Sequence, residues 1–291
     1  MIADEGWFVD YYLHEDPRQK RFAYAWLADF IGVTAVPEDD ETQIAHGLEW
    51  NRQMVEHVDG RPDVRDLSLF VGEEPDIVDL PLAPELPSQR AWAAARFGFP
   101  GYIAGDDLPK RSAREQVREE LGWGDEPVCI AAVGGSGVGQ ALLERAVAAL
   151  PALRERLPGA RMVAVAGPRI DPARIPGGEG VKVAGFVEDL PRLLAAADVA
   201  VVQGGLTTAM ELTAAGRPFV YVPLEEHFEQ QVHVHHRLRR YGAGQRLHFA
   251  DAEPEALASA LASAHAGGGE GTATVQPGGA RRAAERLVEL L

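Results

Sequence analysis

Two glycine-rich turns contain the residues of this chain whose types and spacing are best suited to chemistry. Gly134, Gly135 and Ser136 follow a predicted strand and precede a predicted helix, and residues 204–208 read Gly-Gly-Leu-Thr-Thr in the same kind of position. Glycine lets a ligand approach the backbone closely, and the free N–H groups at a helix start attract a phosphate. Either turn alone is also typical of a helix that merely packs on a sheet. Together they predict a site for a diphosphate.

An acid close to the second turn narrows the kind of ligand. Glu211 lies three residues after Thr208, near the predicted helix start, where its carboxylate could accept two ribose hydroxyls or could cap the helix with Thr208. A nicotinamide dinucleotide site is excluded because the first turn is not Gly-x-Gly-x-x-Gly and no acid follows the second strand. A P-loop is excluded because no Gly-Lys-Ser/Thr occurs.

The two turns belong to a regular alternation of strands and helices. The predicted strands are rich in Val and Ala, lack a polar face and cover residues 128–133, 162–166, 181–184, 199–202 and 219–222. Such strands, separated by helices, indicate a parallel sheet that is covered on both faces. We therefore predict a doubly wound α/β domain over residues 105–291, which ends in a Gly-rich stretch and an amphipathic helix at 280–291.

Composition excludes several other classes of protein. The formal charge is -16, and residues 1–104 hold 20 acidic and 8 basic side chains. This negative charge disfavours nucleic acid as a partner, because a protein binds the phosphate backbone with positive charge. Acids rather than Lys or Arg occupy the first ten residues, and no apolar run is long enough for a bilayer, so we expect a cytoplasmic protein. The single cysteine, Cys129, excludes an internal disulfide, and the histidines between 227 and 236 are spaced around a helix rather than converging on a metal.

The second turn and its surroundings resemble the donor-binding signature of family 28 and related family 1 glycosyltransferases. The resemblance rests on residues 203–218, on Val222-Pro223, on residues 229–231 (Glu-Gln-Gln) and on the upstream stretch 185–191 with Ala197-Asp198. Gly134, Gly135 and Ser136 resemble the first phosphate-side loop of that group. The match covers about residues 125–250, and its ordered combination of elements is more specific than any one of them.

The resemblance implies a GT-B-like fold of two Rossmann-like domains and an inverting, metal-independent hexosyl or N-acetylhexosaminyl transfer. A nucleotide sugar, most simply a UDP-sugar, would be the co-substrate, with no further cofactor. The acceptor would be a small molecule or a lipid, and membrane contact is expected only with a lipid acceptor. The implied donor contacts lie at Gly134, Gly135, Ser136, Phe186, Val187, Gln203, Gly204, Gly205, Leu206, Thr207, Thr208, Glu211, His227, Glu229, Gln230 and Gln231.

Residues 1–104 are too short for the acceptor-side domain of this group, so we expect an incomplete N-terminal α/β domain. Met1 to Ala3 resembles the tail of a strand with Asp4 and Glu5 at its tip, and Asp29 is a third candidate for the catalytic, acceptor-side acid. Three explanations of the short N-terminal domain remain open: a truncated product, a misassigned start, or half of a two-chain enzyme. The alternatives in function are a UDP-sugar 2-epimerase of the same fold and a nucleotide-sugar-binding module that is inactive alone.

Overall fold

The computed structural model describes residues 1–103, 114–135, 137–269, 271 and 273–291, and the chain forms two compact units. Unit 1 comprises Met1–Asp106 and Val275–Leu291, and unit 2 comprises Asp107–Thr274. We predicted that all of residues 105–291 form one domain, whereas the C-terminal helix packs with unit 1. Arg282 Nε in this helix donates to the carbonyl oxygen of Pro100 at 2.7 Å, which fixes the helix on that unit.

Unit 1 is built on a four-stranded parallel sheet. The strands are β1 (Ile2–Asp4), β2 (Ala25–Ala28), β3 (Leu67–Val71) and β4 (Gly98–Gly101), in the order β1-β2-β3-β4. Helices α1 (Trp7–Glu15), α2 (Glu41–Gly60) and α3 (Gln89–Ala94) alternate with them. The strand tail expected at Met1 to Ala3 is present as β1.

The core of unit 1 is aromatic. Trp26 and Trp92 are each only 1% exposed, and Tyr24 is fully buried. The guanidinium of Arg65 lies 4.4 Å from the ring centroid of Trp26, a cation–π contact inside this core. Large aromatic side chains bury much apolar area per residue, which lets a sheet of four short strands hold a core.

Unit 2 is built on a six-stranded parallel sheet in the order β10-β9-β8-β5-β6-β7. Its strands are β5 (Val128–Ala132), β6 (Arg161–Val165), β7 (Val181–Ala184), β8 (Val199–Val202), β9 (Phe219–Tyr221) and β10 (Gln245–Arg246). Its helices are α4 (Arg114–Glu120), α5 (Gln140–Arg156), α6 (Leu190–Ala196), α7 (Leu206–Ala214), α8 (His235–Tyr241) and α9 (Pro254–Gly267). The C-terminal helix of unit 1 is α10 (Gly279–Val288). The predicted doubly wound parallel sheet is confirmed.

The central strands of unit 2 are buried on both sides. Every residue of β5 and of β8 is buried, as expected for strands without a polar face. Helices α5 and α9 pack on each other over one face of the sheet, and α6 packs against both α4 and α7. In the part of the chain that the structure describes, no helix has the length and hydropathy that crossing a bilayer requires.

Candidate functional site

The strand order of unit 2 places a topological switch point between β5 and β8. From β5 the chain proceeds outward through β6 and β7, whereas β8 begins a second series that proceeds through β9 to β10 on the other side. Ligands of doubly wound sheets bind at the carboxyl ends of the strands where the order reverses. Gly134 and Gly135 follow β5, and Gln203 to Gly205 follow β8, so both glycine turns lie at this point.

The first turn lies close to the residue that precedes the second. A Cβ added to Gly134 would lie 3.7 Å from the side-chain oxygen Oε1 of Gln203. Gly134 and Gly135 are exposed, whereas a Cβ at Gly139 would lie 2.3 Å from the Cβ of Val133. Helix–strand packing therefore accounts for Gly139, and the exposed backbone at 134–135 faces outward at the switch point. Ser136, the third residue predicted here, lies outside the described residues.

The second turn leaves the start of α7 open. Gly204 has a φ of 86°, and a Cβ there would lie 3.3 Å from the ring of Tyr221. Gly205 is the N-cap of α7 and provides no side-chain cap, and a Cβ added to it would meet nothing within 4 Å. A helix start has a positive dipole end and backbone N–H donors that favour an anion. The space beside Gly205 is where such an anion can reach them.

Glu211 does not cap α7, which corrects one of the two roles predicted for it. The helix begins at Leu206 rather than near Thr208, so Glu211 lies in the second turn, beyond the reach of an N-terminal capping box. The carboxyl group is partly buried, and desolvation by burial raises its pKa to about 7. Hydrogen bonds donated to the ionised form would lower this pKa again, and two ribose hydroxyls are donors of that kind.

Gln230 and Gln231 hold the loop after β9. The Oε1 atom of Gln230 accepts a hydrogen bond from the backbone N–H of Leu224 at 2.9 Å, and Gln231 Nε2 donates to the carbonyl oxygen of Leu224 at 2.6 Å. The Oε1 atom of Gln231 in turn accepts from Arg246. Both backbone polar groups of Leu224 are thus bound by the glutamine pair. The Nε2 group of Gln230 and the second lone pair of its Oε1 atom could still bind a sugar hydroxyl.

The segment that holds this pair is a π-helix over Glu229–Val234, which continues into α8. We predicted an ordinary helix here; the wider turn replaces its first part. Single π turns inside helices are frequent at functional sites. Next to it, His227 Nδ1 lies 4.0 Å from Glu229 Oε2, and burial lowers the pKa of His227, which favours the neutral ring.

A cleft of about 490 Å³ opens beside the glycine turns. It is lined by Gln203, by residues 222–227, by Phe249 and by residues at the start of α5. Its walls are mainly apolar. Of the predicted site residues, Gln203 and His227 line it, whereas residues 204–208 and Glu211 are not among its walls. The groups predicted to bind the phosphates and the ribose are thus not part of the walls of this cleft.

Phe186 and Val187 follow β7, at one edge of the sheet. Three inter-strand steps separate β7 from β8, which corresponds to about 14 Å. Phe186 is 70% exposed, so its ring is accessible to a planar ligand group. Asp189 accepts from the backbone N–H of Arg192 at 3.2 Å and caps α6, which packs against α7. The capped helix links the Phe186 loop to the helix that contains Glu211.

The three candidate acids of unit 1 lie together at the carboxyl ends of β1 and β2. Glu5 Oε1 accepts a hydrogen bond from the backbone N–H of Asp29 at 3.1 Å, so Glu5 has a structural role there. Burial, and next the charge of Asp29, raise the pKa of Asp4. The structure places these acids in one cluster and assigns none of them a reaction.

Sequence reasoning missed the groups that support the site from a distance. Arg246 lies in β10, fifteen residues after Gln231, and Tyr221 Oη lies 2.6 Å from His235 Nδ1. No local spacing connects these pairs, since the contacts arise from the pairing of β9 with β10 and from the return of α8. The described parts of the chain contain no cluster of three His, Cys, Asp or Glu side chains suited to a metal.

Comparison with known proteins gives matches over unit 2. Residues 129–270 match the family model described as the glycosyltransferase family 28 C-terminal domain. A 116-residue segment is 35% identical to the UDP-N-acetylglucosamine–N-acetylmuramyl-(pentapeptide) pyrophosphoryl-undecaprenol N-acetylglucosamine transferase of Methylobacterium radiotolerans, covering 38% of this chain and 31% of that protein. A 160-residue segment is 29% identical to an uncharacterised glycosyltransferase of Methanopyrus kandleri, covering 55% of this chain and 43% of that protein.

Solved structures show the same fold. The calicheamicin glycosyltransferase CalG4 superposes with a TM-score of 0.55 at 17% identity, over 99% of this chain and 68% of that one. The predicted GT-B-like α/β fold class is thereby confirmed. The aligned segments span less than half the length of the two curated relatives.

Proposed function

We propose that this chain, whose residues 129–270 are a glycosyltransferase family 28 C-terminal domain, transfers a glycosyl group from a nucleotide sugar to an acceptor hydroxyl. The donor is a UDP-linked hexose or N-acetylhexosamine, in keeping with the UDP-N-acetylglucosamine used in the name of the Methylobacterium relative. The observation that carries the proposal is the open helix start at Gly205, which adjoins a second exposed glycine turn at the switch point.

In this reaction the domain must stabilise the leaving group. The acceptor oxygen forms a bond to the anomeric carbon while the bond from that carbon to the diphosphate oxygen breaks, and attack from the opposite face inverts the configuration. Negative charge grows on the departing nucleoside diphosphate. The N-terminus of α7 stabilises that charge with backbone donors fixed in place, which requires no metal.

The remaining donor contacts are those that the resemblance to family 28 glycosyltransferases implies. Glu211 accepts the ribose hydroxyls, the exposed ring of Phe186 and Val187 contact the base, and Gln203 donates a hydrogen bond near the phosphates without adding a charge. Many family 1 members carry histidine at the position of Gln203. Glu229 and Gln230 contact the sugar hydroxyls, with His227 and Gln231 close by.

The proton of the acceptor hydroxyl passes to a general base on the acceptor side. Asp4, Glu5 and Asp29 are the candidates in this chain. Asp4 suits the role better than Glu5, because its pKa is raised while Glu5 already accepts from the Asp29 backbone. The acceptor is a small molecule or a lipid.

Two other functions make different predictions. A UDP-sugar 2-epimerase would convert the sugar nucleotide without an acceptor, and the transferase names of the similar proteins do not favour it. A binding module without activity would hold the nucleotide but give no product. Turnover with and without added acceptors separates the three.

Calorimetric titration of the full chain with UDP, GDP, dTDP, UDP-glucose and UDP-N-acetylglucosamine tests the donor site. We expect saturable binding that prefers one base, and a loss of about tenfold or more in Glu211→Ala, since a charge-assisted hydrogen bond is removed. Glu155→Ala, an exposed glutamate of α5 in the same unit, is the matched control and should bind like the parent. Equal affinity of both variants would remove Glu211 from the site, and no binding by the folded parent would refute the proposal.

A further inference from the structure

A second cavity, of about 740 Å³, lies in unit 1 at the amino ends of β3 and β4. Ser68 and Gly98 contribute from these two strands, and residues 58–62 contribute from the end of α2 and the turn after it. Asp4 and Asp29 lie at the carboxyl ends of β1 and β2, the other end of the same parallel sheet. This cavity is therefore separate from the groups considered above for the transfer reaction.

The cavity is basic within an acidic part of the chain. Residues 1–104 hold 20 acidic and only 8 basic side chains, yet three of those eight, Arg61, Arg65 and Arg96, line this one cavity. Arg286 from the C-terminal helix is a fourth arginine in its wall. Like charges repel one another, so gathering them costs free energy unless acids or a bound anion offset the charge.

The two carboxylates that line the cavity, and the neighbouring Asp10, already have cationic partners: Asp59 with Arg96 at 2.5 Å, Asp66 with Lys20 at 2.7 Å and Asp10 with Arg65 at 2.5 Å. Among the residues that the structure describes, Arg61 has no side-chain partner, and Arg286 reaches only Glu289, at 3.2 Å on the surface. The Nη1 atom of Arg286 lies 3.8 Å from the position a Cβ on Gly98 would take. The guanidinium of Arg61 and the two Nη atoms of Arg286 thus remain available to an anion.

A buried histidine in the same cavity wall adds a different requirement. His14 is fully buried, and its Nδ1 atom lies 2.8 Å from the backbone oxygen of Asp10. A carbonyl oxygen can only accept, so Nδ1 carries the proton and Nε2 of the neutral ring is an acceptor. Burial is the main cause that lowers the pKa of His14 and keeps the ring neutral. Its Nε2 atom has no hydrogen-bond partner in the described structure, which leaves an acceptor that a hydroxyl group would satisfy.

We propose that this cavity binds a phosphorylated sugar or polyol, with the phosphoryl group on Arg61 and Arg286 and a hydroxyl donating to His14 Nε2. Guanidinium groups bind phosphate oxygens through directed, charge-assisted hydrogen bonds, and the volume of about 740 Å³ admits a ligand of this size. The site does not depend on the transferase activity, because none of its residues belongs to unit 2.

Calorimetric titration of the full chain with glucose 6-phosphate, inorganic phosphate and glucose tests this site. We expect glucose 6-phosphate to bind most tightly and the double variant Arg61→Ala/Arg286→Ala to weaken it by about tenfold or more. The matched control, Arg18→Ala/Arg52→Ala, removes the same charge from two exposed arginines that do not line the cavity, and should change the affinity by less than about twofold. Equal losses in the two double variants, or no saturable binding by the parent chain, would overturn the proposal.

A third variant tests the hydroxyl contact. His14→Phe removes the acceptor and should weaken glucose 6-phosphate while leaving inorganic phosphate unchanged. Since His14 is buried, the thermal midpoint of each variant is measured first, and the arginine variants decide the question if His14→Phe does not fold. Equal affinity of the parent chain for inorganic phosphate and glucose 6-phosphate would refute the sugar or polyol part of the ligand.

Discussion

Donor binding should depend on pH because of one carboxyl group. Burial raises the pKa of Glu211 to about 7, and a ribose that donates two hydroxyl hydrogen bonds favours the ionised carboxylate. Binding therefore lowers this pKa and releases a proton wherever the free protein carries one. Affinity should rise with pH through the pKa of the free protein and level off above it.

The size of the effect follows from the titration alone. With a pKa of about 7, the ionised fraction rises about tenfold between pH 6 and pH 8, so the affinity of a ligand that requires the ionised form rises about tenfold, or 1.4 kcal/mol. A ligand that also binds the protonated form shows a smaller rise in affinity with pH.

UDP-glucose is the suitable probe, because its diphosphate is esterified at both ends and lacks the phosphate pKa near 6. Calorimetry at pH 6, 7 and 8, each in two buffers of different ionisation enthalpy, gives the affinity and the number of protons released. Glu211→Gln should abolish the slope, and Glu155→Gln, exposed on α5, should keep it. A flat profile in the parent chain, or an unchanged slope in Glu211→Gln, would refute the reasoning.

Three further predictions concern the supports of the site. Gly204→Ala should lower the free energy of unfolding by about 1–3 kcal/mol and weaken UDP binding, because φ is 86° and Tyr221 is close. Gly205→Ala, where φ is -64° and the space is open, should unfold at the same denaturant concentration as the parent chain. Gln230→Ala should weaken UDP-glucose more than UDP by calorimetry; an equal loss for both would mean that it only holds the loop through the Leu224 N–H. Asp198→Ala should cost about 2–4 kcal/mol in urea unfolding, since Arg114 and Arg118 lose their carboxylate partner and the Val128 N–H loses its acceptor. Arg118 keeps its bonds to the carbonyl oxygens of Gly124, Glu126 and Ala196, and a loss below 1 kcal/mol would contradict the prediction.

The strands of unit 2 could be predicted from sequence because burial on both faces leaves a clear pattern. Runs of Val and Ala between glycine turns gave β5 to β9 within a residue or two. β2 was missed because its sequence, Ala-Trp-Leu-Ala, has neither the β-branched residues nor the alternation typical of a strand. It is a strand because Trp26 packs in an aromatic core formed by distant segments.

Local signals also failed at the start of α7 and at the last helix. Thr208 has a side chain typical of an N-cap, so the helix was predicted to start there. The helix instead starts at Leu206, with Gly205 as an N-cap that provides no side-chain hydrogen bond. The amphipathic pattern of α10 showed that one face must be buried, but a pattern cannot identify the partner surface. That surface is β4. Arg282 in α10 donates a hydrogen bond to Pro100 in β4, 182 positions earlier in the chain.

Because α10 and β4 are far apart in the sequence, they can pack together only late in synthesis. Pro100 leaves the ribosome long before Arg282, and at about 5–20 residues per second the 182 intervening positions take about 10–40 s to translate. Unit 2 is contiguous in the chain, so all of its strands are available well before unit 1 receives its last helix. The edge of β4 in unit 1 therefore stays uncovered until unit 2 has been translated and α10 follows it.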